Sequence, residues 1–121
     1  SLLPAFGGSI GMQSLSNALA YGSRIVGATV HHVTEDLDSG PPIAQVALGS
    51  ADGQINEYQT DLMFRAGCIA LFTALLTLND ALLAQASARA IQMQDASFLV
   101  SPACELPTEL ASEAFWGALK L

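Results

Sequence analysis

An α/β fold is predicted for this chain of 121 residues on three observations. Hydrophobic residues make up 51% of the chain and charged residues 12%, which is typical of a packed globular domain with a modest core. Two runs with strand character, 25–33 and 42–48, flank an acidic turn. A longer stretch, 57–78, carries apolar residues at helical spacing. Together these patterns predict strands of one sheet that pack against a long helix.

The N-terminal part is predicted to run from a loop through a helix into a hairpin. Residues 5–12 contain three glycines and are interpreted as an irregular loop. Residues 13–21 are expected to form a helix that ends at Gly22. The strands 25–33 and 42–48 follow, and neither face of the first is clearly polar, so it should be largely buried. The buried stripe of the helix consists of Leu15, Ala18 and Leu19.

The long helix and the tail complete the expected secondary structure. A helix over 57–78 should bury a broad face. A break at 79–80 is followed by a second predicted helix over 81–90, a short strand over 97–100 and a terminal helix over 109–119. The inward-facing residues of the terminal helix are Leu110, Phe115 and Leu119. The buried face of the long helix consists of Leu62, Ala66, Ile69, Thr73 and Leu76, widened by Met63, Ala70 and Leu71.

The charge balance argues against a nucleic-acid partner. The formal net charge is −7. A protein that binds the phosphate backbone clusters its Lys and Arg on one surface, whereas the cationic residues of this chain are scattered. They are Arg24, Arg65, Arg89 and Lys120. A phosphorylated small molecule stays possible, because backbone N–H groups or one local cation can bind it.

Cysteine usage and hydropathy predict a reduced, cytoplasmic setting. Cys68 and Cys104 stand far apart without CxxC spacing, so neither a metal site nor a disulfide is expected, and both are interpreted as buried apolar thiols. No signal peptide is recognisable. The longest apolar run, 68–78, is shorter than the roughly 20 residues that cross a bilayer, so no membrane partner is expected.

The segment 27–45 holds the candidates for chemistry. From the residues alone, Asp36 and Asp38 in a Gly-Pro turn are interpreted as structural, because Asp side chains often cap their own backbone in such turns. His31 or His32 is interpreted as a hydrogen-bonded histidine of the core. Functional roles for Asp38 and for one histidine are the alternatives.

The same segment resembles the signature of the formyltransferase family that uses 10-formyltetrahydrofolate. A second phrase of the family is matched at the N-terminus, in the family's order and at a suitable distance. The clear resemblance covers about the first 50 residues. It is carried by Gly27, Thr29, Val30, His31, Val33, Asp38, Gly40, Pro41 and Ile43, with Gln45 beyond them, and by Ser1-Leu2-Leu3-Pro4-Ala5-Phe6 with Gly8.

The resemblance implies a fold. A complete member has a mostly parallel, Rossmann-like sheet flanked by helices. Residues 1–121 would be the C-terminal part of one such domain, with an incomplete sheet, one antiparallel pair and the long helix. The chain opens at Ser1 in the middle of an apolar phrase, so a missing N-terminal half is expected as its partner. Apolar surface should be exposed where that half would pack.

The resemblance also implies a reaction. Purine-pathway members transfer a formyl group from 10-formyltetrahydrofolate to the amine of glycinamide ribonucleotide, and the chain is most similar to these. Formyltetrahydrofolate deformylases, which transfer the same group to water, resemble the chain equally at 27–29 and 34–38. A folate-binding module without catalysis is the third alternative.

Individual residues receive roles from the same resemblance. Asp38 would be the catalytic group of this chain, holding a histidine in a useful charge state and ordering a water. Gly8 would let the backbone approach the phosphate of the ribonucleotide, and His31 would support the site. The folate would be held by backbone groups of Thr34, Glu35, Asp36 and Leu37.

The chain departs from the family in two places. The family's Asn-x-His pair stands directly before the opening phrase, so it would precede Ser1, and the chain alone is expected to be inactive. Purine-pathway members usually carry a Glu-His pair on the long helix. At that place the chain has 66–69, Ala-Gly-Cys-Ile, with no acidic residue between Asp61 and Asp80. A contact to the substrate ribose is therefore lost or moved.

Overall fold

The computed structural model describes residues 13–36, 40–50, 52–79, 88–93 and 96–119. The strands predicted over 25–33, 42–48 and 97–100 are confirmed as β1, β2 and β4, and the long helix predicted over 57–78 corresponds to α2. In chain order the structure has α1 (Gln13–Tyr21), β1 (Ile25–His31), β2 (Pro42–Gly49), α2 (Glu57–Asn79), β3 (Arg89–Met93), β4 (Ala96–Ser101), a short 3-10 helix (Thr108–Ala111) and α3 (Glu113–Leu119).

The four strands form one sheet in the order β1-β2-β4-β3, and every neighbouring pair is antiparallel. The β1–β2 pair runs from Ile25 opposite Gly49 to His31 opposite Pro42, with a register shift just before His31. The predicted antiparallel pair is thereby confirmed. The mostly parallel arrangement is not found among the described strands, because the C-terminal hairpin of β3 and β4 returns to lie antiparallel beside β2.

Strand β3 occupies the end of a stretch predicted as helix. The prediction over 81–90 is wrong at its C-terminal end, where β3 begins with Arg89, and 80–87 lies outside the described residues. Ile91 and Met93 are buried while the residue between them is exposed, which is the period of two of a half-buried strand. Pairing with β4 overrides the helical propensity of this alanine-rich run.

Helix α2 lies across one face of the sheet and buries most of the predicted face. Met63 and Leu76 are partly buried. Leu71 is 52% exposed because it stands two residues, or about 200° of helical rotation, from Ile69. The buried residues of α2 include Leu62, Ala66, Ile69, Ala70 and Thr73. They share one core with strand residues, among them Val26, Ala28, Val46, Leu48, Phe98 and Val100, and with Leu15, Ala18 and Leu19 of α1.

Both helix ends near the first strand follow local rules. Gly22 has φ +108, a left-handed conformation that costs glycine little, and its N–H donates to the Leu19 carbonyl at 3.1 Å. The predicted stop of α1 at Gly22 is confirmed. At the start of α2, Asn56 Oδ1 accepts the backbone N–H of Gln59 at 2.8 Å, so Asn56 caps that helix.

The C-terminal segment is broken, although one helix was expected over 109–119. A 3-10 turn and α3 meet at Ser112, which places the indole Nε1 of Trp116 2.8 Å from the Leu110 carbonyl. Trp116 is 2% exposed, whereas Leu119 is 46% exposed. The prediction of Leu119 as an inward residue is wrong, because the break turns α3 so that the tryptophan faces the core.

An ion network fastens α3 to α2. Arg65 donates to both carboxylate oxygens of Glu113, at 2.8 and 2.9 Å, and its Nη2 lies 3.0 Å from Asp61 Oδ2. Its guanidinium stands 5.5 Å from the ring centroid of Trp116. The pKa of Arg65 is raised, first by the hydrogen bonds to Glu113, although burial opposes this. Arg65 therefore stays charged and holds the two helices together.

Helix α2 is also long and apolar enough to cross a bilayer, judged by length and composition alone. Core helices of globular proteins pass the same test, and α2 packs one face on the sheet, with 39% of its most apolar window buried. The expectation of no membrane partner stays a prediction.

Candidate functional site

The candidate site lies in the connection between β1 and β2. The backbone N–H of His32 donates to the Pro41 carbonyl at 3.0 Å, which closes the base of this loop. A Cβ on Gly40 would collide with the carbonyl oxygen of His32. The base of the loop can therefore close only because position 40 has no side chain.

His31 is the last residue of β1 and is half-buried beside that base. Its Nδ1 lies 2.8 Å from the carbonyl oxygen of His32. A carbonyl oxygen only accepts, so Nδ1 must carry the hydrogen. A Cβ built at Gly40 would lie 3.3 Å from the same nitrogen. The imidazole of His31 thus faces Gly40, at the end of the loop that leads into β2. Gly40 stands two residues after Asp38 in the sequence.

The part of the loop that follows β1 exposes polar groups to solvent. Thr34 Oγ1 donates to the Asp36 carbonyl at 3.0 Å, which fixes a local turn. Thr34, Glu35 and Asp36 are all exposed. Backbone groups in such an exposed turn are accessible to a ligand with donors and acceptors along one edge.

Thr29 and Gln45 support the loop from within the hairpin. They stand directly opposite each other, and Gln45 Nε2 donates to Thr29 Oγ1 at 3.4 Å. This pair lies two residues before His31 and holds the register that sets the base of the loop.

The structure thus brings five of the residues of interest to one end of the sheet. They are His31, Thr34, Glu35, Asp36 and Gly40. The other three predicted site residues, Gly8, Leu37 and Asp38, lie outside the described residues. In the sequence, Asp38 stands between Asp36 and Gly40.

The buried face of α2 offers no carboxylate to this region. Ala66 and Ile69 are fully buried and Cys68 is partly buried. The stretch 66–69, where the resemblance led us to look for a Glu-His pair, is therefore an apolar and largely buried part of α2. Within the part of the chain that the structure describes, no group of three potential metal ligands occurs.

The sequence did not indicate a cavity of about 560 Å³ at the opposite end of the hairpin. Buried Ser50 and Gln59 line it, together with Arg24. The only signal in the sequence was the capping spacing of Asn56 and Gln59, which marks the start of α2 but no ligand.

The N-terminal part of the chain is similar to known proteins. The family described as Formyl transferase matches residues 1–50. A phosphoribosylglycinamide formyltransferase of Mycobacterium tuberculosis (strain ATCC 25618 / H37Rv) is 46% identical over 57 residues, 47% of this chain and 25% of the relative. That of Bacillus subtilis (strain 168) is 42% identical over 60 residues, 50% of this chain and 27% of the relative.

The chain is also similar to a second enzyme. A formyltetrahydrofolate deformylase of Haemophilus influenzae is 39% identical over 67 residues, 55% of this chain and 22% of the relative. The matches to these relatives cover only about a quarter of their length. No solved structure matches the chain significantly. The region matched by the Formyl transferase family, residues 1–50, contains α1, β1, the candidate loop and β2, so these elements carry the similarity.

Proposed function

We propose that the protein formed by these residues transfers the formyl group of 10-formyltetrahydrofolate to the amine of glycinamide ribonucleotide. The observation that carries the proposal is the loop between β1 and β2, whose base needs glycine at position 40. That loop lies within residues 1–50, which match the Formyl transferase family, and the chain is similar to phosphoribosylglycinamide formyltransferases, which supports the proposal. The reaction would take place in the cytoplasm on small-molecule substrates, without nucleic acid or membrane.

The reaction is an acyl transfer. The amine attacks the formyl carbon, a tetrahedral oxyanion forms, the bond to the folate nitrogen breaks, and one proton moves from the amine to that nitrogen. Such a step needs a donor for the oxyanion and a group that relays the proton. We propose that Asp38 holds an imidazole as imidazolium and orders the relaying water. The family's Asn-x-His pair has no counterpart in these 121 residues, so they should be inactive by themselves.

The exposed turn would hold the folate. We propose that backbone groups of Thr34, Glu35, Asp36 and Leu37 meet the edge of the pterin ring, which carries both donors and acceptors. The exposure of the first three supports this role. His31 would hold the base of the loop rather than transfer a proton, since its Nδ1 is engaged with the carbonyl of His32. Gly8 would admit the phosphate of the ribonucleotide.

The test is formyl transfer by the protein in which this chain is joined to an Asn-x-His segment. Asp38→Asn should lower kcat by about a hundredfold or more, because the relay loses its carboxylate, while folate binding changes little. Asp52→Asn is the matched control, since Asp52 lies at the other end of the hairpin. Equal rates for Asp38→Asn and the unmodified protein would refute the role of Asp38.

Deformylase activity is the second candidate. Similarity to formyltetrahydrofolate deformylases and the apolar surface at 66–69, where a ribose contact is expected in the purine-pathway enzyme, favour it. The same assay separates the two: formate released without glycinamide ribonucleotide indicates the deformylase, whereas formylated ribonucleotide indicates the transferase. Folate binding with neither product would indicate a non-catalytic module.

A further inference from the structure

The cavity at the open end of the β1–β2 hairpin is a separate feature of the molecule. It has a volume of about 560 Å³, which is within the range of small-molecule sites and far more than one water occupies. It lies where β1 begins, at Ile25 opposite Gly49, whereas the candidate loop lies where β1 ends. A seven-residue strand of roughly 20 Å separates the two ends.

Two buried polar side chains line this cavity without a hydrogen-bond partner in the described part of the chain. Ser50 is 1% exposed and its Oγ is unpaired, and Gln59 is 4% exposed with its Nε2 unpaired. A buried polar atom without a hydrogen-bond partner destabilises the folded protein, because it has lost its bonds to water and gained none in return. Unpaired buried polar groups are rare in native proteins and each one needs an explanation. A ligand that offers an acceptor to the amide nitrogen of Gln59 is one such explanation.

A cation is fixed at the same cavity. Arg24 Nη1 donates to the Ser23 carbonyl at 3.0 Å, and the Arg24 carbonyl accepts from Ser50 N–H at 2.8 Å. A Cβ on Gly53 would come within 2.5 Å of Arg24 Cζ, so the missing side chain makes room for the guanidinium. The cavity therefore combines a guanidinium, an amide donor and a hydroxyl.

The remaining lining decides the class of ligand. Leu48 and Leu62 form an apolar wall, and the half-exposed ring of Tyr58 stands beside them. Asp52 also lines the cavity, with Oδ1 accepting the N–H of Gln54 at 2.9 Å. Its negative charge disfavours a doubly charged phosphate more than a singly charged carboxylate.

We propose that this cavity binds a small organic carboxylate. The carboxylate accepts hydrogen bonds from three residues, and the apolar body of the ligand lies against the wall. The three donors are Arg24, Ser50 and Gln59. Two atoms that are unpaired in the protein thereby gain partners, and the guanidinium balances the charge.

The proposal is tested on the full chain with benzoate and its neutral isostere benzamide. The readout is the side-chain amide of Gln59 in ¹⁵N-resolved NMR, which reports directly on the proposed contact and needs no formyl transfer. We expect a saturable shift with benzoate and binding of benzamide weaker by about tenfold or more. Arg24→Met should weaken benzoate by a similar factor, and Arg89→Met, a second exposed arginine outside this cavity, should change it little.

Ser50→Ala adds a readout that a purely structural role would not produce. Removing an unpaired buried hydroxyl should raise the melting temperature of the free protein, yet reduce the rise that benzoate causes. Three results would overturn the proposal: no saturable shift of Gln59, equal affinity for benzoate and benzamide, or equal effects of Arg24→Met and Arg89→Met. None of them bears on formyl transfer, which is measured at the other end of the hairpin.

Discussion

At the scale of single residues, the hydrogen atom of Gly40 decides whether the candidate loop can close. Replacing it by a methyl group pushes against the carbonyl oxygen of His32, which is backbone and has little freedom to move. The loop base and the hydrogen bond from His32 to Pro41 must then open.

We therefore expect Gly40→Ala to lower the free energy of unfolding by about 1–3 kcal/mol. Urea denaturation measures this. Gly67→Ala is the matched control, because a Cβ there meets nothing within 4 Å in a helix interior, and it should stabilise by about 0.5–1 kcal/mol. Equal effects at the two glycines would show that the loop base is not closed as described.

Cys68 has a shifted pKa, as Arg65 does. Burial raises the pKa of its thiol, since the thiolate is poorly solvated there. Its alkylation by iodoacetamide near pH 9 should therefore be slower than that of a free cysteine and should recover in urea. The pKa of the Cys68 thiol is higher in the folded protein than in the unfolded chain. Its contribution to the stability of the folded protein is therefore fully present below the unfolded pKa, and it is lost as the pH rises through the folded pKa.

Mass spectrometry after timed labelling locates the alkylated cysteine and serves as the measurement. Cys104 provides an internal comparison, since it is buried at 5% exposure and should also label slowly. Of the two cysteines predicted to be buried, Cys104 is buried and Cys68 is only partly buried. Labelling of Cys68 as fast as a model thiol would contradict the effect of burial.

The spacing of apolar side chains in the sequence predicted the burial of many residues correctly and missed that of others. The stripe of α1 is buried as expected because a short helix on a sheet buries its apolar positions directly. Trp116 was missed, since its burial depends on the break at Ser112 rather than on helical periodicity. Among the site residues, the structure places His31 at the end of β1 and 34–36 in the expected loop, while the roles of all of them stay predictions.

At the scale of elements, the attachment of α3 depends on one bidentate ion pair. Arg65 is buried at 7% side-chain exposure, and Glu113 is 40% exposed. When Glu113 loses its charge, Asp61 is the remaining anionic partner of the Arg65 guanidinium. Solvent reaches Glu113, so the loss of folding stability is smaller than for a fully buried ion pair.

Glu113→Gln should reduce stability by about 1–2 kcal/mol and loosen α3 before the sheet unfolds. The chain has a single tryptophan, so fluorescence of Trp116 follows α3 while circular dichroism follows the whole chain. Glu109→Gln, an exposed carboxylate in the neighbouring 3-10 turn, is the control and should leave both signals unchanged. Coincident transitions with no loss in Glu113→Gln would mean that the ion pair does not hold the helix.

The elements differ in how far the sequence determines them. The helices α1 and α2 and the strands β1 and β2 were predicted because their caps, glycines and apolar spacing act locally. The helix predicted over 81–90 overlaps the first two residues of β3, since an alanine-rich run favours helix until a partner strand supplies hydrogen bonds. The break at Ser112 has a similar cause, a tertiary contact between Trp116 and Leu110.

At the scale of the whole molecule, exposed apolar surface is concentrated on the outer side of α2. The sequence led us to expect such surface where further strands would pack. Several large side chains on the side of α2 away from the sheet are between 43% and 60% exposed, and they share one helix surface. They are Phe64, Leu71, Phe72, Leu75 and Leu78.

We expect this surface to bind the dye ANS in the folded state. Leu75→Lys together with Leu78→Lys should reduce ANS fluorescence by about half, while the free energy of unfolding changes by less than about 0.5 kcal/mol, because these side chains leave no cavity. Thr60→Lys, at an exposed position of the same helix, controls for the added charge. ANS fluorescence unchanged by the double variant would place the apolar surface elsewhere.

The position of β4 between β2 and β3 sets a limit on how the chain can fold. β1 and β2 are joined by a short loop, and so are β3 and β4, but β2 and β4 are separated by the whole of α2. Their pairing closes a long loop, and such closure slows the search for the native state. As synthesis proceeds, β2 emerges long before its second neighbour, so its inner edge stays open to other chains in the interval. Formation of the complete sheet therefore depends on the pairing of β4, an inner strand of the sheet that is synthesised last.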